Sequence, residues 1–276
     1  MTWWAVEVRA EAADRVAVAE WMVRYTGQAV EQQDDGCLIG YTTDAASGQQ
    51  LGRELAGAFG AVTVAGAVSV ESVDWRTAWR EGLAPRTIGR LTILPTWCEV
   101  PPTASVLVRI DPETAFGTGE HGSTRGALTL LERHLTTGAR VIDLGSGSGI
   151  LAIAAVALGA ARAVGIENDG DAVPVAVDNA ARNGVADSVT FLEGDAGALA
   201  PLVGPADLIL SNILRDANTA LLPAIHQSLA VGGIAIFSGM EVSEAPLFRA
   251  SLAQAGYQPI DEVVDAGWWS VAARPR

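Results

Sequence analysis

The sequence predicts an α/β fold in which a mostly parallel, doubly wound sheet follows a smaller α+β unit. Three observations carry that expectation. From Gly122 onward, short and nearly all-apolar runs alternate with helical stretches. Two further strand-like segments then meet across a tight turn at Ala266-Gly267. Ahead of them, the first ~70 residues follow a βαββαβ order, which suggests a ferredoxin-like sandwich.

In that leading unit, residues 3–8 alternate like a strand and residues 11–25 like a helix with Val16, Ala19 and Val23 on one face. Gly27 suits a helix C-cap. Strands over 29–33 and 37–42 flank the turn Asp34-Asp35-Gly36, a helix covers 49–59, and strand-like segments lie between 61 and 73. Residues 1–73 form this unit. Residues 74–86 link it to the rest through a short helix, where Trp75 and Trp79 share a face as packing anchors. Extended segments follow near 91–94 and 106–110.

Residues 87–276 hold the main unit. Its runs at 141–144, 163–166, 189–192, 208–210 and 234–237 read as strands buried on both faces, and the helices between them imply a parallel sheet. Segments 257–265 and 268–273 close it as a hairpin, giving a seven-stranded sheet. His134 and His226 fall in helices, with no partner evident for either. Pro223 lies inside a helix and is expected to kink it.

Composition narrows the chemistry. The chain is 49% apolar and 18% charged, which suits a sizeable core. No apolar run reaches the roughly 18 residues that span a bilayer, and the first residues lack a basic leader, so the expectation is a cytoplasmic protein without a membrane. Cys37 and Cys98 fit no metal or redox spacing and suit a reducing compartment. All 18 basic residues are arginine. Without lysine there is no phosphate-binding Walker loop, no kinase strand lysine and no Schiff-base enzyme. A formal charge of −14 argues against non-specific nucleic-acid binding. It is compatible with a cationic partner, or serves solubility alone.

The stretch Val141-Ile142-Asp143-Leu144-Gly145-Ser146-Gly147-Ser148-Gly149-Ile150-Leu151 joins the first strand of the sheet to a helix. Gly145, Gly147 and Gly149 allow a sharp turn and a close ligand approach, and the helix start favours an anionic group. A dinucleotide dehydrogenase would want the third glycine at position 150, which is isoleucine. Asp143 suits an ammonium group. Glu167, at the end of the second strand, suits ribose hydroxyls, and Asp195, after the third, suits an adenine amine. Together they describe S-adenosyl-L-methionine. The alternative is that Asp143 and Asp195 cap helices while Glu167 is a solvated loop carboxylate. Asn212, after the fourth strand, either orients an amine acceptor or caps the helix opening near Asp216.

Asp111-Pro112-Glu113-Thr114-Ala115-Phe116-Gly117-Thr118-Gly119-Glu120-His121-Gly122-Ser123-Thr124 resembles the signature loop of the PrmA family of bacterial methyltransferases. The glycine loop, Asp178-Asn179-Ala180-Ala181-Arg182-Asn183-Gly184, Ser211-Asn212-Ile213-Leu214 and the connector around Trp75 to Trp97 are similar to the same family. The resemblance covers the chain from Asp74 onward, and before that the layout alone. It implies a class I methyltransferase, with a Rossmann-like seven-stranded sheet and a small N-terminal ferredoxin-like α+β domain for substrate recognition. It implies S-adenosyl-L-methionine as cofactor, held at Thr124, Gly145, Glu167 and Asn212. Phe116, Gly117 and Thr118 line the same cleft.

The implied reaction is methylation of lysine ε-amines and the N-terminal α-amine of the eleventh protein of the large ribosomal subunit, a basic partner. The expected catalytic set is Asn212, Phe116, Thr118 and His121, with His121 ordering the loop or, as the alternative, acting as a base, and Asn212 orienting the amine. Glu120, where the family commonly has threonine, is a carboxylate that either steers a cationic amine or signals a different substrate. The chain is expected to act as a monomer without direct nucleic-acid contact. Two alternatives stand beside this reading: a methyltransferase for another protein lysine or a small amine, and a non-catalytic module that binds the cofactor.

Overall fold

The computed structural model describes residues 3–11, 14–26, 30–32, 37–59, 62–70, 84–111, 117 and 119–276. The turn at 34–36, Gly27, the connecting helix with Trp75 and Trp79, and loop residues Phe116 and Thr118 lie outside them. The chain divides into two compact units, Met1–Glu81 and Gly82–Arg276.

The first unit runs β1 (Trp3–Arg9), α1 (Arg15–Thr26), β2 (Glu31–Gln32), β3 (Cys37–Thr42), α2 (Ala45–Ala58), β4 (Thr63–Val64) and β5 (Val68–Val70). Its sheet has the order β2-β3-β1-β4, antiparallel throughout, with β5 also pairing β1. That is the ferredoxin-like arrangement. Of the expected face, Ala19 packs against the core while Val16 and Val23 are exposed, and Val18 and Met22, four apart, enter the core. Gly40 on β3 admits Met22, since a Cβ there would lie 2.6 Å from its methyl. α2 starts four residues earlier than expected because Asp44 caps it, accepting from the Ser47 N–H at 2.8 Å.

The second unit opens with a three-stranded sheet of β6 (Arg86–Ile88), β7 (Leu91–Leu94) and β8 (Val106–Arg109). It continues with α3 (Gly122–His134), β9 (Arg140–Leu144), α4 (Ile150–Ala157), β10 (Arg162–Glu167), α5 (Ala172–Arg182) and β11 (Val189–Glu193). Next come α6 (Ala196–Val203), β12 (Ala206–Asn212), α7 (Arg215–Ser228), β13 (Leu229–Glu241), α8 (Ala245–Gln254), β14 (Tyr257–Asp265) and β15 (Trp268–Pro275). These strands form one seven-stranded sheet in the order β11-β10-β9-β12-β13-β15-β14. β9 to β13 are parallel and β15 is antiparallel to both neighbours.

Alternation along the strands builds a core on each face. Val141, Leu208, Leu210 and Ile236 pack with Leu128, Leu131 and the apolar helix α4. Ile142, Leu144, Ile209 and Phe237 pack on the other face with Leu222, Ile225 and Phe248. Helices cover both faces, so the first to fourth strands of the parallel set open their C-terminal ends along a single rim. Pro223 sits inside α7 as expected. His134 is not without a partner: its Nε2 lies 3.0 Å from Asp261 on β14. His226 meets the Tyr257 ring edge-on at 5.8 Å.

Candidate functional site

The rim is built first by the turn from β9 into α4. Gly145, Gly147 and Gly149 all have positive φ (+69°, +50° and +81°). At Gly149 a Cβ would lie 2.6 Å from the Phe191 ring, and at Gly145 2.5 Å from Ile213, so only bare backbone fits. The N–H groups of Gly145 and Ser146 donate to the Ile166 carbonyl at 2.8 and 3.2 Å, tying the loop to β10.

Asp143 lies beneath this loop and is fully buried. Its Oδ2 accepts from the Ala152 N–H at 3.1 Å, so it caps α4 from a neighbouring strand. Its Oδ1 is buried with no partner. Burial pushes its carboxyl pKa up to about 7; the charge of Glu167 adds to the rise, and the bond from Ala152 opposes it.

Glu167 is not a solvated loop carboxylate, being 8% exposed. It braces the rim, accepting from the N–H groups of Gly147 at 2.8 Å, Asn168 at 2.9 Å and Asp169 at 3.1 Å. A carboxylate offers about four acceptor positions, so three backbone donors leave capacity for a hydroxyl. Asp195 is engaged as the N-cap of α6, accepting from the Ala198 N–H at 2.8 Å. The helix-cap reading is therefore realised there.

On the fourth strand, Asn212 is no helix cap. α7 has Leu214 at that position, and no side chain caps it. Asn212 instead donates through Nδ2 to Oγ1 of the fully buried Thr124 at 3.3 Å. Its Oδ1 is buried without a partner. Two such acceptors, Asp143 Oδ1 and Asn212 Oδ1, lie on one face at the ends of the adjacent strands β9 and β12, while Ser211, in register with Leu144, faces the other side. Each unmet buried polar group costs about 1–3 kcal/mol, so two such acceptors on one face suit a polar ligand.

The loop before α3 adds the remaining groups. His121, the N-cap residue of α3, shares a 2.7 Å hydrogen bond between Nδ1 and Ser123 Oγ and packs on Trp268 at 4.2 Å between ring centroids. Burial and the nearby Arg125 charge hold its pKa below the usual imidazole range. Glu120 is not a lone steering carboxylate. Arg86 grips it through Nε at 3.0 and 2.9 Å and through Nη2 at 2.7 Å.

Sequence reasoning missed Ser146 and Asn179. Buried Asn179 accepts from the Asp111 N–H at 3.0 Å and donates to the Ser148 carbonyl at 3.0 Å. It ties the start of the signature loop to the glycine turn, and Ser148 Oγ donates to the Gly117 carbonyl at 2.7 Å. The available signal was an amide on the apolar side of α5. The strand ends thus bring together Asp143, Gly145, Gly147, Gly149, Glu167, Asn212 and Thr124, with His121 beside Ser123 at the opening of α3.

A profile described as PrmA, Ribosomal protein L11 methyltransferase, matches residues 5–276. A ribosomal protein L11 methyltransferase from Thermus thermophilus is 42% identical over 195 residues, covering 71% of this chain and 75% of that one. One from a Synechococcus species is 40% identical over 208 residues, covering 74% and 69% respectively. A crystal structure of the ribosomal protein L11 methylase of Lactobacillus delbrueckii subsp. bulgaricus aligns with a TM-score of 0.64 at 31% identity. It covers 70% of this chain and 98% of that one. The chain belongs to the PrmA family of methyltransferases, whose cofactor is S-adenosyl-L-methionine.

Proposed function

We propose that this protein transfers methyl groups from S-adenosyl-L-methionine to amines of ribosomal protein L11, namely lysine ε-amines and the N-terminal α-amine. The observation that carries the reading is the pair of buried, unpartnered acceptors Asp143 Oδ1 and Asn212 Oδ1 on one face at the ends of β9 and β12. The donor set fits the cofactor. Asp143 Oδ1 would hold an ammonium, Glu167 ribose hydroxyls and Asp195 an adenine amine, while bare backbone at the glycine turn admits the nucleoside closely.

When bound, the cofactor supplies a methyl on a positively charged sulfur, open to in-line displacement by an amine. A lysine amine has a pKa near ~10.4 and arrives protonated at neutral pH. The groups facing it must therefore favour its neutral form. Asn212 and Thr124 present dipoles and no charge. Asn212 Oδ1 accepts an amine N–H and so points the nitrogen lone pair. No strong base is required, because the proton leaves to water before attack. His121 orders the loop, together with Phe116, Gly117 and Thr118, and Met1–Glu81 serves as the recognition domain. The setting is the cytoplasm, and no described helix is long and apolar enough to cross a membrane.

The test is mass spectrometry of purified ribosomal protein L11 after incubation with enzyme and cofactor. The chain contains no lysine, so every methyl-lysine found belongs to the acceptor. Methylated lysines or a methylated N-terminus on L11 are expected. Labelling of another protein or a small amine in an extract, with L11 untouched, would move the acceptor. Cofactor binding with no transfer to anything would make the chain a binding module.

A further inference from the structure

The closing hairpin reaches across the molecule to the opening of α3, and the contacts converge on site residues. Arg125, on the first turn of α3, makes a two-pronged ion pair with Asp265, Nε to Oδ2 and Nη2 to Oδ1, both at 2.7 Å. Its third nitrogen, Nη1, donates to the Glu120 carbonyl. Trp268, paired with Asp265 across the turn, carries the His121 ring.

The seating is close at backbone level too. A Cβ at Gly122 would lie 2.4 Å from the Asp265 carbonyl oxygen and 2.9 Å from Trp268. Below the turn, Ser238 donates to the Ser123 carbonyl at 2.8 Å and shares a 2.7 Å bond with Ser270. The turn itself holds Ala266 at φ +47°, a left-handed conformation that a non-glycine residue adopts at a cost.

We propose that Asp265 and Trp268 at the tip of the closing hairpin are positioning residues, which through Arg125 and His121 set the entrance of α3 and so the placement of Thr124 against Asn212. The role rests on the methyl-transfer reading of the site, because Asn212 is what the device orients. The Thr124–Asn212 bond is long at 3.3 Å, so a small shift of α3 breaks it. Arg125 suits the task because its planar fork fixes direction as well as distance.

The experiment compares Asp265→Asn with Glu262→Gln. Glu262, on the same strand, holds Arg249 by an equivalent pair at 2.9 and 2.5 Å, away from the rim. Each variant weakens one arginine–carboxylate pair on β14, and Glu262 also accepts from the Trp269 indole N–H at 3.0 Å, so the control perturbs the hairpin at least as much. Asp265→Asn is expected to lower kcat/KM for L11 about tenfold or more, since misplacement by about 1 Å can cost 10²-fold. It is also expected to shift the His121 imidazole resonances in the NMR spectrum, while Glu262→Gln leaves both near wild type. Either quantity staying at its Glu262→Gln value overturns the proposal.

Should wild type leave L11 unmethylated, the function reading fails by itself. The calorimetric affinity for S-adenosyl-L-methionine then replaces kcat/KM. A loss in Asp265→Asn beyond that in Glu262→Gln supports the positioning role, and equal affinities overturn it.

Discussion

Asp143 carries two demands on one carboxylate. Oδ2 satisfies the start of α4, and Oδ1 waits on the rim in a place without water-like solvation. Its pKa of about 7 lies well above the ~3.9 of an unfolded aspartate. Between those values the folded state binds the extra proton, so this group's contribution to stability falls as pH rises from about 4 to about 7, then levels. Asp143→Asn removes that slope. Urea unfolding of the ligand-free proteins should show the variant gaining on wild type by on the order of 2–3 kcal/mol between pH 5 and pH 8. A constant difference would mean that the carboxylate is ionised throughout.

Glu167 and Asn212 divide the work at the same scale. Glu167→Ala frees three backbone donors and removes the proposed ribose contact, so cofactor affinity by calorimetry should fall about 10–100-fold, in line with hydrogen bonds to charged groups. Asn212→Ala should reduce kcat more than it weakens the cofactor. The reverse pattern would exchange the two roles.

Among the elements, the β14–β15 hairpin concentrates the unusual backbone. Its two-residue turn has positive φ at both positions, +47° at Ala266 and +83° at Gly267, as in a type I′ turn. Asparagine tolerates that conformation better than alanine. Ala266→Asn should therefore raise the unfolding free energy by about 0.5–1 kcal/mol, read by urea denaturation.

Elements announced by apolar periodicity were legible in the sequence, down to this turn, because burial on both sheet faces leaves an unbroken signature. β6 was not foreseen, since Arg86-Thr87-Ile88 is short and mostly exposed. Nor was the start of α2, set by one capping carboxylate at Asp44. The partners of Glu120 and His134 were not foreseen for a different reason: Arg86 lies 34 residues away from the first and Asp261 127 from the second. Ion pairs between distant elements leave no local pattern. The glycine turn was legible because φ restricts residue choice, whereas the shared face of Asp143 and Asn212 became visible only once β9 and β12 lay side by side.

For the whole molecule, the claim is that side chains far apart in sequence become one site because parallel strands end together. Alternating burial places Asp143 and Glu167 at the ends of adjacent strands, and Asn212 beyond them on β12. In the proposal the small unit serves recognition. Hydrogen exchange with and without S-adenosyl-L-methionine tests the rim most directly. The account predicts slowed exchange at the amides of 145–149, 167–169 and 212–214, with the opposite, N-terminal strand ends unchanged. Protection confined to those opposite ends, or to Met1–Glu81, would contradict it.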